Sequence, residues 1–245
     1  MTAAMGRPTP GTLYCIPTPV GEGRTAPDDL AAGVMTVIGQ LDYLIAENAK
    51  TARAVWKYLP LSRPIQQIQI VELNQHTREE AVADLLAPLL AGRSAGLVSE
   101  AGCPGVADPG ARLVLAAHQA GVPVQPLIGP SALLLALMGS GLNGQRFAFA
   151  GYLPTAAEER HRQIRRMESR SQQEDETQIL IETPYRNQVL FSALLAALSP
   201  HTWLCVASDL TGRQQALHTR RVADWTRPTP SLPRAPTVFA FWAPR

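Results

Sequence analysis

The sequence predicts an α/β protein of two α/β domains, the first built on a mainly parallel sheet and the second on a mixed one. Three observations predict it. The chain has 245 residues and is 46% apolar, enough to enclose one large core or two small ones. In the first half, short apolar runs alternate with helical patterns at short intervals, the mark of parallel strands covered on both faces. In the second half the strand-like runs lie closer together with fewer crossovers, which favours mixed pairing. Gly129-Pro130-Ser131 interrupts the alternation, so the predicted domains are residues 1–128 and 129–245.

Each element follows from its local pattern. Residues 12–17 read as a strand stopped by Pro17-Thr18-Pro19. After a loop with Gly21 and Gly23, Asp28 or Asp29 reads as the N-cap of a helix carrying Leu30, Val34, Val37 and Ile38. Residues 43–46 form a short buried strand, and 51–59 a helix with Val55, Trp56 and Leu59 on its apolar side. A strand at 68–73 precedes an amphipathic helix at 79–90, closed by Ala91-Gly92. Then come a strand at 94–99, a long Gly- and Pro-rich loop, a helix at 111–120 ending at Gly121, and a strand at 122–128. Past the junction the pattern gives an apolar helix at 132–138, a strand at 147–151 and a polar helix at 156–174. A strand at 178–183, a helix at 187–198 and strands at 203–208, 214–218 and 237–242 complete the chain, with the Pro-rich stretch 227–236 as a surface loop or bulge.

Composition narrows the function. The net charge of +2 gives no global electrostatic case for nucleic acid. Of the 22 basic residues only Lys50 and Lys57 are lysines. The densest basic run, Arg160 to Arg170, is interrupted and flanked by Glu158, Glu159, Glu168, Glu174 and Asp175, which reads as a solvated helix face. No apolar run approaches the ~20 residues of a membrane span. Residues 1–10 lack the pattern of a signal peptide, so a cytoplasmic location is expected. Cys15, Cys103 and Cys205 lie far apart and read as small buried hydrophobes. Cys103 stands apart because its loop is a ligand candidate. The histidines His76, His118, His161, His201 and His218 have no ligand spacing, and no metal is expected. There is no G-x-G-x-x-G after the first strand, no Walker A sequence and no G-x-S-x-G, which disfavours dinucleotide, P-loop and hydrolase chemistry.

What remains is a set of loops at strand ends. The loop from Ser99 to Gly110 carries Gly102, Gly105 and Gly110 with Pro104 and Pro109, so backbone can approach a small molecule closely. In an open α/β sheet a ligand is expected beyond the carboxyl ends of the strands. The same edge should display the loops at Pro17, Glu47, Asn74 and Gly129. Glu47, Lys50, Asn74 and His76 then come within reach of one cleft. A cap or a surface charge is the ordinary role for any one of them, and the set points to chemistry more strongly than its members.

Residues 11–21 (Gly-Thr-Leu-Tyr-Cys-Ile-Pro-Thr-Pro-Val-Gly), 97–110 (Leu-Val-Ser-Glu-Ala-Gly-Cys-Pro-Gly-Val-Ala-Asp-Pro-Gly) and 126–132 (Pro-Leu-Ile-Gly-Pro-Ser-Ala) together resemble the tetrapyrrole-methylase-like class of S-adenosylmethionine methyltransferases. Residues 149–154 and 181–186 extend the resemblance in order along nearly the whole chain. It is most similar to the branch that methylates a ribose 2′-hydroxyl of 16S ribosomal RNA. The resemblance implies two α/β domains with S-adenosylmethionine folded into the cleft between them. It implies cofactor contacts at Gly102, Cys103, Val106, Ser131, Ala132, Thr183, Pro184 and Ala207, and commonly a homodimer.

Two loops depart from that branch. Its second-strand loop reads Glu-Asp-Thr-Arg-His-Thr, where this chain has Glu-Asn-Ala-Lys-Thr-Ala at 47–52. Its third-strand loop has a His-Glu-His-Asn character, where this chain has Leu-Asn-Gln-His-Thr at 73–77. The chain thus reads as a divergent paralogue with an altered acceptor side. The expected acceptor is ribosomal or other structured RNA, with Glu47 or His76 as the base and Lys50 to stabilise charge or hold a phosphate. Two other readings stay open from the sequence: a small-molecule acceptor such as a tetrapyrrole, and a non-catalytic paralogue that binds cofactor or RNA.

Overall fold

The computed structural model describes residues 9–21, 23, 25–57, 64–225 and 230–244. The chain divides into two units, Met1–Pro19 with Arg24–Pro130, and Val20–Gly23 with Ser131–Arg245. Among the described residues no helix is long and apolar enough to cross a membrane.

The first unit runs β1 (Leu13–Ile16), α1 (Ala26–Asp29), α2 (Ala32–Gln40), β2 (Tyr43–Ala46), α3 (Ala49–Trp56), a 3-10 turn (Ile65–Gln67), β3 (Gln69–Glu72), α4 (Glu79–Leu90), β4 (Ala95–Val98), α5 (Gly110–Gln119) and β5 (Val124–Pro126). The strands form a sheet in the order β3-β2-β4-β1-β5, with every pair parallel. β2 and β4 are buried along their whole length, as their unbroken apolar runs predict. Alternation splits the core over the two faces. Ile16, Ile38, Leu44, Trp56 and Val98 pack on one, and Leu13, Tyr43, Ile45, Leu86, Leu97 and Leu113 on the other. The register aligns Ala46 with Glu72 and Val98, and Val98 with Ile16. All loops leaving these residues therefore emerge at one edge.

The second unit runs α6 (Ala132–Ser140), β6 (Phe147–Gly151), α7 (Ala157–Glu174), β7 (Thr177–Glu182), α8 (Asn187–Ala197), β8 (Trp203–Ser208), β9 (Ala216–Arg221), α9 (Val222–Trp225) and β10 (Thr237–Trp242). Its sheet has the order β6-β7-β10-β8-β9. β6 and β7 are parallel, while β10 runs antiparallel to β7 and β8, and β8 and β9 form an antiparallel pair. α7 and α8 bury Ile164, Met167, Phe191 and Leu194 on one face, and α6 buries Ala136 and Leu137 on the other.

The structure corrects several expected boundaries. Neither Asp28 nor Asp29 caps the long helix. Both end the short α1, where the Asp28 carboxylate accepts bonds from the Thr25 N–H and hydroxyl at 2.8 and 2.7 Å, and α2 begins after Ala31. α3 starts two residues early because Asn48 Oδ1 accepts the N–H groups of Lys50 and Thr51 at 2.9 and 3.3 Å. Leu59 lies outside the described residues, as do 226–229 of the Pro-rich stretch. β9 runs to Arg221 and passes straight into α9, a helix the pattern did not predict. Within the polar run of α7, exposed Arg162 and Arg166 form the expected solvated face, but Arg160 and Glu168 are buried. Arg160 donates to the carbonyls of Pro154 and Thr155 at 3.2 and 2.8 Å. Glu168 accepts from the Ser199 N–H at 2.6 Å and pairs with Arg165 at 2.6 Å.

Candidate active site

The loop after β4 is built mainly from backbone. Gly102 takes φ +72°, a conformation that suits glycine. It exchanges two backbone bonds with Thr18, N–H to carbonyl in each direction at 3.1 and 2.9 Å. The Ser99 hydroxyl, buried beneath, donates to the carbonyls of Ala101 and Gly102 at 3.3 and 3.4 Å. The loop after β5 approaches the one after β1 so closely that a Cβ on Gly129 would lie 2.1 Å from Pro17 Cγ. Only glycine leaves that space.

Asp108 closes the loop. Its carboxylate accepts the Gly105 N–H on both oxygens at 2.9 Å and the Gly110 N–H at 2.6 Å, joining the loop to the start of α5. Burial pushes its carboxyl above the usual range, and the bonds from Gly105 and Gly110 oppose that rise. Sequence reasoning did not single out Asp108. The signal was present: an Asp before Pro-Gly at a helix start is a turn and cap signature.

Three of the expected cofactor residues lie here. Gly102 is buried, and Cys103 is half-buried with its thiol donating to the Pro130 carbonyl at 3.4 Å. Burial pushes the Cys103 thiol pKa up, which disfavours the thiolate. Val106 turns an apolar side chain outward, 46% exposed. Such a loop fits S-adenosylmethionine: Gly105 at φ +85° and Ala107 at φ +63° turn the backbone sharply, and Val106 offers apolar surface beside it.

Glu47 follows β2 at the same edge. Its N–H donates to the Val98 carbonyl at 3.1 Å, which sets it beside the loop after β4. Its carboxylate accepts the Glu100 N–H. Burial raises its pKa; the Glu100 N–H opposes this, and the charges of Glu100 and Asp108 add to the rise. Lys50 is exposed one turn further on, on α3. His76 is exposed after β3, its ring 3.3 Å from Gln75 Nε2. Among the described residues no ion pair joins Lys50 or His76 to Glu47. Register thus brings the loops of all three to one edge, while only Glu47 reaches the β4 loop by described contacts. Asn74 shapes the third loop: its Oδ1 accepts the His76 N–H at 2.9 Å, and Arg112 of α5 clamps the carbonyls of Asn74 and Thr77 at 2.9 and 3.1 Å. Arg112, invisible as a motif, became legible only through its partners.

In the second unit the expected residues sit at the start of α6 and at the ends of β7 and β8. Ser131 and Ala132 are half-buried, and Ala132 packs toward the α6 core. Thr183 is held by Glu182, whose Oε1 accepts the Thr183 N–H at 2.8 Å while its Oε2 pairs with Arg186 at 3.2 Å. Pro184 is exposed in that turn. Ala207 lies inside the sheet, paired to Leu217 and Val238, with its methyl in the core and 1% exposed. Ser208 and Asp209 occupy the strand end beyond it.

A sequence profile described as Tetrapyrrole (Corrin/Porphyrin) Methylases matches residues 12–225. A ribosomal RNA small subunit methyltransferase I of Synechocystis is 34% identical over 201 residues, 82% of this chain and 67% of the relative. The protein of the same name from Xylella fastidiosa is 32% identical over 203 residues, 83% and 70% of the two chains. Among solved structures, the methyltransferase CobJ superposes with a TM-score of 0.62 at 18% identity, covering 96% of this chain and 94% of its own. Uroporphyrin-III-C-methyltransferase from Thermus thermophilus gives 0.55 at 19% identity, with 95% and 94% covered. These two structures agree with the fold described above, two α/β units with a parallel first sheet and a mixed second one. By the profile and by relatives above 30% identity, the chain belongs to the tetrapyrrole methylase family of S-adenosylmethionine-dependent methyltransferases.

Proposed function

We propose that this methyltransferase modifies ribosomal or other structured RNA at a ribose 2′-hydroxyl. The observation that carries it is Glu47, a half-buried carboxylate with raised pKa, tied to the cofactor loop through Val98 and Glu100. A ribose hydroxyl is a weak nucleophile at neutral pH and needs a base at its proton. The names of the relatives above supply the RNA class.

S-adenosylmethionine, when bound, supplies a methyl group already activated on sulfonium. This chain's residues then have three tasks. Backbone at Gly102, Cys103 and Val106, with Ser131, Ala132, Thr183, Pro184 and Ala207 from the second unit, holds the cofactor. Glu47 takes the hydroxyl proton, with His76 as the other candidate on the neighbouring loop. Lys50 holds a phosphate or steadies the developing oxyanion. The enzyme acts in the cytoplasm on RNA, free or within a ribosomal subunit. It works as a homodimer, and α6 supports this: it is apolar on every side and leaves Leu134 56% and Met138 78% exposed.

The test is transfer of labelled methyl from S-adenosylmethionine to RNA and small-molecule fractions of a deletion strain. Label on a ribose in RNA is expected. Label confined to small molecules, or no transfer at all, overturns the reading.

A further inference from the structure

β9 is one of the two edges of the second sheet, paired among the described residues to β8 alone. Its last two residues, Arg220 and Arg221, point to opposite faces by strand alternation. On each face a guanidinium lies over an indole, Arg220 over Trp225 at 5.0 Å and Arg221 over Trp203 at 5.1 Å. His218 shares the Arg220 face, its ring edge-on to Trp225 with centroids 6.5 Å apart. His218, Arg220 and Arg221 are all exposed. Trp225 is 2% exposed and its Nε1 donates to the Leu204 carbonyl at 3.0 Å, so that indole is a fixed part of the core.

Charge separates these arginines from others in the unit. Arg146, Arg165, Arg170 and Arg186 each pair with a glutamate. Among the described residues, Arg220 and Arg221 have no ion pair, and Asp224, the acid nearest in sequence, pairs with neither. Protection of an edge strand from other edges needs charge. It does not need two guanidiniums placed over indoles with N–H groups that, among the described residues, meet no acid. That arrangement suits phosphate, which a guanidinium fork grips in two-pronged fashion. Contact with the indoles already restricts both side chains, so binding orders them at smaller further cost.

The position says what kind of acceptor can use it. Arg221 lies opposite Trp203, the first residue of β8, whereas Ala207 lies near the other end. Four residues along a strand separate them by roughly 13 Å. A chain of nucleotides spans that distance.

We propose that this edge, with Arg220 and Arg221 on Trp225 and Trp203 and His218 beside them, grips the phosphate backbone of the RNA substrate at a distance from the methylated ribose. This rests on the RNA reading above. Contacts of this kind set orientation without reading sequence.

The test is filter binding of radiolabelled 16S ribosomal RNA, transcribed in vitro, across a salt series. R220Q/R221Q is expected to weaken binding about tenfold and to lower the slope of log affinity against log salt by about one to two. R220K/R221K, which keeps the charge, restores most of that slope. R162Q/R166Q, on the solvated face of α7, binds as the wild type does. Unchanged calorimetric affinity for S-adenosylmethionine shows that the variants are folded. Wild-type affinity and slope in R220Q/R221Q overturn the proposal and leave the RNA reading standing. If the wild-type protein binds neither this RNA nor the assembled small ribosomal subunit, the RNA reading itself fails and the edge surface falls with it.

Discussion

The role proposed for Glu47 rests on placement. As a residue it is an ordinary carboxylate, and a surface charge is its commonest role. Burial beside the β4 loop, reinforced by the charges of Glu100 and Asp108 and opposed by the Glu100 N–H, lifts its pKa above the usual carboxylate range. Only the ionised form can accept a proton, so methyl transfer should rise with pH through a midpoint above that range. Glu47→Gln should remove that limb and lower kcat by about 100-fold. Calorimetric affinity for S-adenosylmethionine should stay within about twofold. Asp108 works differently, since its three bonds to Gly105 and Gly110 hold the loop itself. Asp108→Ala should cost about 1–3 kcal/mol in urea unfolding and weaken S-adenosylmethionine about tenfold by calorimetry. Glu47 and the glycines of the loop could be picked out in the sequence. Asp108 carried a turn and cap signature before Pro-Gly, whereas Arg112 could not be given a role there, because it acts through Asn74 and Thr77, distant in the chain.

At the scale of elements, periodicity was a sound guide where burial is uniform. β2 and β4 have unbroken apolar runs and are buried along their whole length. Gly96 shows how tightly β4 is held: a Cβ there would lie 2.5 Å from Ile16 Cδ1 and 2.9 Å from Leu44 Cδ2. Gly96→Ala should therefore destabilise by about 1–3 kcal/mol, read as a lower urea midpoint with an unchanged slope. Legibility fell where side chains decide an end. Asp28 spends its carboxylate on Thr25, at the start of α1, rather than opening α2. Asn48 opens α3 early by the same kind of bond. α9 was missed because its four residues carry no full helical period; Val222 and Trp225 form it by packing into the core of the second sheet.

At the scale of the whole molecule, each unit carries its own sheet and its own core. α6 is the element that looks beyond its unit's core. Replacing Leu134 and Met138 together by Glu should leave the chain monomeric in light scattering, where the wild type is expected to be a dimer. A wild-type monomer would remove the homodimer from the proposal. The sequence by itself determined the fold class, the family and the cofactor, because those depend on alternation along the chain and on short motifs whose glycines and prolines dictate local backbone. It also marked which loops end strands. The tertiary structure alone decided which loops meet. Parallel register puts the ends of β1, β2, β3 and β4 in a row. That alignment, between residues up to about 80 apart in the chain, surrounds Glu47 with Glu100 and Asp108. The same is true of the arginines on β9: their identity is written in the chain, but the indoles beneath them and the lack of acid partners among the described residues arise only from packing.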